Sequence, residues 1–265
     1  MAAFEGPGTA RMLEVVRGLT APADGTLAAC TWVPPAGEGV CGVCHGSAPP
    51  GRGRCFTCFR TAGQVSLPAG LVVPISLYRT GDDLWRLLRR YKDGRDAEGR
   101  RGMRRRLARL LSQFLRFHLA CIAPGASSGW SITGVPPTRR REDARPLDRT
   151  IRLAPWLRRR HLRTLRTVRA PEHNEASDSA FEVIGDVSGR ELLLVDDTFT
   201  TGASVQSAAS ALQLAGARVL AVVVLGRVVN PRAAPDAAGL WEAARARRFR
   251  LDACCIGHGG REGGS

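Results

Sequence analysis

Leu192-Leu193-Leu194-Val195-Asp196-Asp197-Thr198-Phe199-Thr200-Thr201-Gly202-Ala203-Ser204 sets an apolar run, two adjacent acids, several hydroxyls and a glycine in immediate succession. The apolar run predicts a buried strand over Glu191–Val195, and the polar residues predict a loop over Asp196–Ser204. Ala203–Ala215 reads as an Ala-rich helix closed by Gly216 one position past its end. A helix start exposes unpaired N–H groups and carries partial positive charge, so an anion fits there. Thr200, Thr201 and Ser204 add hydroxyl donors, and Gly202 lets the backbone come close to a ligand. Adjacent side chains on an extended segment point to opposite sides. One of Asp196 and Asp197 can then face the ligand while the other supports the loop or a metal's hydration shell. An ordinary helix cap is the other account of these residues, but a cap needs one Thr or Asp and not the whole string.

Downstream, Val219–Leu225 predicts a second buried strand, Ala237–Arg247 a helix and Phe249–Ile256 a closing strand. Strand, loop, helix and strand with continuous apolar strands argue for a parallel sheet covered on both faces. Upstream, Leu71–Leu77 predicts a strand. Asp82–Tyr91 predicts a helix, with Leu84, Trp85, Leu87, Leu88 and Tyr91 at near-helical spacing. Arg100–Ile122 predicts a long amphipathic helix with a stripe of Leu107, Leu110, Leu111, Phe114, Leu115 and Leu119. Trp130–Val135 reads as a strand stopped by Pro136 and Pro137. Arg139–Arg169 is strongly basic and poorly periodic, with a helix expected after Pro155. Ala170–Ser179 reads as polar and mobile. Met12–Leu19 predicts a brief helix, Pro22–Gly39 a loop, and 257–265 a disordered tail.

Cys41-x-x-Cys44 and Cys55-x-x-Cys58 are two knuckles joined by a Pro- and Gly-rich turn. Two such pairs give a tetrahedral thiolate site, and a closed site of this kind is structural. Zn²⁺ held by Cys41, Cys44, Cys55 and Cys58 is the expectation. Free thiols or a redox pair are the alternatives, and His45 stands beside the knuckle as a substitute ligand. Cys30, Cys121, Cys254 and Cys255 lack a second such pair and read as buried or idle thiols.

Of 265 residues, 39 are Lys or Arg against 24 Asp or Glu, and the formal net charge is +15. That surplus favours polyanionic partners. Lys92 is the only lysine, which points to a coding bias toward Arg; such a bias explains Arg over Lys but not the excess over acids. Apolar runs are too short to span a bilayer, and Met1–Gly18 lacks the pattern of a secretory signal. No membrane insertion and a cytoplasmic location are expected.

The loop at Val195–Ser204 resembles the signature of type I phosphoribosyltransferases, which bind phosphoribosyl diphosphate (PRPP). The resemblance implies that Thr198, Phe199, Thr200, Thr201, Gly202, Ala203 and Ser204 grip the 5-phosphate. It also implies that Asp196 and Asp197 face the ribose hydroxyls and the bound Mg²⁺ as the catalytic acids. The cysteine module, then Leu84-x-x-Leu87-Leu88-x-x-Tyr91-Lys92, then the PRPP loop, follow an order that resembles the ComF family of zinc-ribbon phosphoribosyltransferase-like proteins. Ile132–Arg141 looks like that family's first core strand and diphosphate loop, which gives Arg139, Arg140 and Arg141 the leaving diphosphate. A solvated basic loop is the plainer account of that triplet. Ala180-Phe181-Glu182-Val183 looks like its short stretch before the PRPP strand. The family's Arg-Gly-Phe-Asn stretch has its nearest counterpart in Arg145-Pro146-Leu147-Asp148, and its mobile Arg–Asn pair in Arg169 and His173-Asn174.

The resemblance implies an α/β chain with a type I phosphoribosyltransferase fold: a central, mostly parallel sheet flanked by helices, with a small N-terminal zinc-ribbon-like module. The expected division is 1–70 for the N-terminal segment, 71–256 for the α/β domain and 257–265 for the tail. Two functions follow as expectations. One is a PRPP-dependent transferase, with Pro171–Ser179 as its lid; no residue stands out as a general base. The other is a module that senses PRPP or a nucleotide and holds single-stranded DNA on its basic surface, in line with the DNA uptake that the ComF resemblance implies. Trp85, Tyr91 and Phe56 are the candidate aromatics for stacking on bases, although Trp85 and Tyr91, in the amphipathic helix, read rather as core.

Overall fold

In a computed structural model of the chain, the described residues are 25–94, 96–138, 145–169, 175–230 and 236–256. The core is a mixed α/β arrangement around a central parallel sheet. Its strands are β1 (Val72–Pro74), β2 (Leu77–Tyr78), β3 (Ser131–Gly134), β6 (Glu191–Phe199) and β7 (Arg218–Val228). β7 pairs with β1 and then β2 along one side and with β6 along the other, and β6 pairs with β3, all in parallel. A two-stranded antiparallel ribbon, β4 (Leu165–Thr167) with β5 (Phe181–Val183), stands apart from it.

Strand side chains alternate between two cores. Leu193, Val195, Val223 and Leu225 face one core with helices α2 (Asp83–Asp93), α3 (Ala97–Ile122), α4 (Pro146–Arg152) and α7 (Asp236–Ala246). Leu192, Leu194, Val222 and Val224 face the other with α6 (Ala203–Leu214), the ribbon and the cysteine module. Burial on both faces explains why these strands read as unbroken apolar runs. The stripe of α3 is buried at Leu107, Leu110, Leu111, Phe114 and Leu115. The helix starts earlier than its apolar pattern, because Asp96 accepts the Gly99 N–H as an N-cap.

Several expectations need correction. Leu71–Leu77 is two strands broken at Ile75–Ser76, where the Ser76 hydroxyl accepts the Thr31 N–H at 2.8 Å and donates to the Leu77 carbonyl at 2.7 Å. The basic stretch after 145 contains α4, with Pro146 in its first turn and Leu147 and Ile151 buried one turn apart. The helix expected after Pro155 is the short α5 (Pro155–Arg158). Phe249–Ile256 is not a strand; it turns at Leu251–Asp252, where Arg250 pairs with Asp252 at 2.7 Å. Residues 175–179 are fastened down: Asp178 accepts from Ser66 Oγ and Ser210 Oγ, both at 2.6 Å, and the Ser177 N–H donates to Ser207 Oγ at 2.9 Å. The expected helix at Met12–Leu19, the first half of the lid and the tail lie outside the described residues. Among the described residues no helix is long and apolar enough to cross a membrane.

Candidate functional site

The helix that follows β3 covers one face of the sheet and the helix that follows β6 covers the other. Such a divergence opens a crevice at the carboxyl ends of the two strands, the usual ligand position in parallel α/β sheets. A cleft lies there, lined by Lys92, Pro137, Thr138, Asp196, Asp197 and Ser204 among others.

The strand continues through the acids to Phe199, so the expected loop shrinks to Thr200–Gly202. The reason is the length of β7, which supplies partners as far as Thr198↔Gly226 and Phe199↔Arg227. Strand geometry then separates the two carboxylates. Asp197 is committed to α2: the Tyr91 hydroxyl donates to its Oδ2, and Lys92 Nζ lies 2.6 Å from its Oδ1. Among the described residues Asp196 takes local bonds, from the Asp197 N–H to its Oδ1 at 2.8 Å and from the Thr198 N–H. Burial pushes Asp196 up to about 6, with Lys92 pulling the other way. Burial pushes Asp197 up to about 7. At Asp197 the lysine is in direct contact, which favours the charged carboxylate and opposes burial.

Gly202 turns the chain from β6 into α6. Its φ is +88°, and an added Cβ would lie 2.6 Å from the Phe199 ring. Only glycine meets both conditions without strain. Phe199 itself points into the second core. Thr201 Oγ1 accepts from the Ala203 N–H at 3.5 Å, and the remaining first-turn N–H groups have no acceptor within their own helix. Asp196, Asp197, Thr198 and Ser204 line the cleft, while Thr200 is exposed and Thr201 half-buried beside it. Arg139, Arg140 and Arg141 lie outside the described residues. Asp148, in the segment matched to the Arg-Gly-Phe-Asn stretch, is held by Arg145 at 2.8 Å and His161 at 3.1 Å.

The four cysteines of the N-terminal module form one buried group whose sulfurs all lie within 4.8 Å of one another. Cys44 and Cys55 are 3.8 Å apart. Metal–sulfur bonds of about 2.3 Å in a tetrahedron put sulfurs about 3.8 Å apart, so the group can hold an ion such as zinc. Cys55 caps helix α1 (Phe56–Ala62), which carries Cys58. His45 stands outside the four-sulfur group, with its Nδ1 3.1 Å from the Pro34 carbonyl oxygen.

Arg227, which no sequence pattern singled out, joins the two sites. Its Nε donates to Cys44 Sγ at 3.4 Å, and its Nη1 to the carbonyls of Thr200 at 3.0 Å and Phe199 at 3.4 Å. Its guanidinium lies 5.0 Å from the centre of the Phe199 ring. Burial opposes its charge, but Cys44, Cys55 and Cys58 outweigh burial and hold it ionised. The cysteine module thereby grips the turn that enters α6. The only hint in the sequence is a charge at the end of an apolar strand. Of the remaining cysteines, Cys30 and Cys255 are buried as expected. Cys121 and Cys254 are instead brought together, with their sulfurs 3.5 Å apart.

No family model matches the chain, and no curated protein matches its sequence.

Proposed function

We propose that the cleft binds PRPP with its Mg²⁺, and that the chain is a phosphoribosyltransferase-like protein of the ComF type with a structural Zn²⁺ in the module at 41–58. The carrying observation is the division of labour between the acids. Asp197 is tied to Tyr91 and Lys92, which leaves Asp196 beside an anion-binding turn as the carboxylate available to sugar hydroxyls or to a hard cation. The start of α6, with Thr198, Thr201 and Ser204, supplies the phosphate grip. A transferase of this kind stabilises the departing diphosphate with cations and excludes water; Arg139, Arg140 and Arg141 take the first role in this proposal. The cellular role drawn from the ComF resemblance is DNA uptake or nucleotide metabolism in the cytoplasm. Calorimetry with PRPP and Mg²⁺ tests the site. Wild type should bind, and Asp196→Asn should bind at least tenfold more weakly with an unchanged melting curve. Equal heats from both proteins would end this account. Diphosphate release with a panel of bases tests transfer separately.

A second function rests on a different surface. Phe56 and Phe59 sit one turn apart on α1 and are each 70% exposed. Arg52 and Arg54 are exposed next to them. Exposed aromatics among cations are the elements of a single-strand stacking platform. On this account the module holds single-stranded DNA while the cleft senses PRPP or a nucleotide without turnover.

A further inference from the structure

The end of α3 carries His118 and Cys121, three positions apart and so on one face of the helix. The segment after α7 brings Cys254 to them. The three ligand atoms all lie within 4.8 Å of one another. Cys121 Sγ is 3.5 Å from Cys254 Sγ and 3.9 Å from His118 Nδ1. Ligand bonds of about 2.3 Å to sulfur and about 2.0 Å to nitrogen place tetrahedral ligands about 3.5–3.8 Å apart. Both distances to Cys121 Sγ are therefore within a few tenths of an ångström of that spacing.

The histidine is prepared for such a role. Its Nε2 lies 2.8 Å from the Leu251 carbonyl oxygen. A carbonyl only accepts, so the proton sits on Nε2, and Nδ1 presents its lone pair to the sulfurs. A ligating histidine is ordinarily fixed in this way, by a carbonyl or carboxylate on its other nitrogen. The ring is packed against Phe114, with centroids 4.6 Å apart, and the residue is 5% exposed. Both cysteines are only half-buried, so an ion can enter.

We propose that His118, Cys121 and Cys254 form a second metal site, for a thiophilic divalent cation such as Zn²⁺. Two thiolates and an imidazole are the donor set for such an ion, not for Mg²⁺ or Ca²⁺. Three protein ligands leave one tetrahedral position to water or an outside ligand. The site lies where α3 runs on toward the amino end of β3, away from the cleft at the strands' carboxyl ends. It pins the segment at 249–256 to the last turns of α3. It is independent of the cleft and of the module at 41–58.

Co²⁺ titration of the reduced, metal-stripped full chain tests this. Wild type should take up two equivalents. The second should add about half the thiolate-to-cobalt absorbance of the first, since two sulfurs replace four. Cys121→Ser/Cys254→Ser should take up one equivalent with the spectrum of the four-sulfur site, and His118→Gln should weaken the second equivalent at least tenfold. Circular dichroism would establish that the variants are folded. A wild-type chain that binds a single equivalent with the four-sulfur spectrum, or a folded double-serine variant that still binds two, would overturn the site.

Discussion

The Arg227 guanidinium connects the cysteine module to the turn that enters α6. Arg227 meets Cys44 Sγ, a thiolate once the module holds a metal, on one side and satisfies carbonyls of Phe199 and Thr200 on the other. Removing one partner of a buried charge pair costs far more than the pair is worth, because the other charge is left uncompensated. Arg227→Met should therefore lower stability by about 3 kcal/mol and speed metal loss to a chromogenic chelator. Arg227→Lys keeps the charge but not the planar fork, so it should cost about 1–2 kcal/mol through the carbonyl bonds it cannot make. Urea unfolding of both variants checks the order. Gly202→Ala tests the other side of the same turn. A positive φ and a Cβ driven into Phe199 should cost about 2 kcal/mol and weaken PRPP binding more than a distant change of equal cost. Equal weakening by the two would mean that the turn does not touch the ligand.

Among elements, α4 is tied through Asp148 to His161, which itself bridges Ile132 of β3. Asp148 pairs with Arg145 and His161, and its Oδ1 would lie 2.7 Å from a Cβ added at Gly134. Burial pushes its carboxyl up, but the hydrogen bonds from His161 and Arg145 outweigh burial and hold it below the usual carboxylate range. A depressed folded value gives stability that is present above the unfolded pKa of about 3.9 and is lost as pH falls through the folded one. Asp148→Asn should thus cost about 2–3 kcal/mol at neutral pH, and the gap between the two melting curves should close as pH drops below about 4. A gap that is constant from pH 7 to 3 would remove the ionic account. The same region shows where the sequence was legible and where it was not. β6, β7, α3 and α6 announce themselves, because each buries enough side chains to impose a period or an unbroken apolar run. In α4, Leu147 and Ile151 are apolar residues one turn apart in an arginine-rich stretch, too few to stand out, although Pro146 marks the start. β4 and β5 each bury a single residue outright, so neither shows an alternation. At the site, the acids and Gly202 were legible because they are contiguous. Arg227 was not, because the cysteine it meets lies 183 positions away in the chain. The pairing of Cys121 with Cys254 was hidden by a separation of 133 positions.

Across the whole molecule, a net charge of +15 acts on any polyanion, whatever the cleft binds. Two contributions to single-strand binding can be separated by salt. Each phosphate neutralised on a single strand contributes about −0.7 to the slope of log K against log salt. Stacking on an aromatic ring is insensitive to salt and is worth about 1–3 kcal/mol per base. If the strand runs over α1, the arginines set the slope and the phenylalanines set the intercept. Arg52→Ser/Arg54→Ser should make the slope shallower by about 1.4, for two lost phosphate contacts. Phe56→Ala/Phe59→Ala should leave the slope unchanged and weaken binding by at least about fivefold at every salt concentration, for one or two lost stacks. Fluorescence anisotropy of a labelled oligothymidylate at several salt concentrations reads both quantities. If the phenylalanine pair changes nothing while the slope stays steep, the interaction is the undirected attraction of a basic protein, and the module at 41–58 serves the cleft alone.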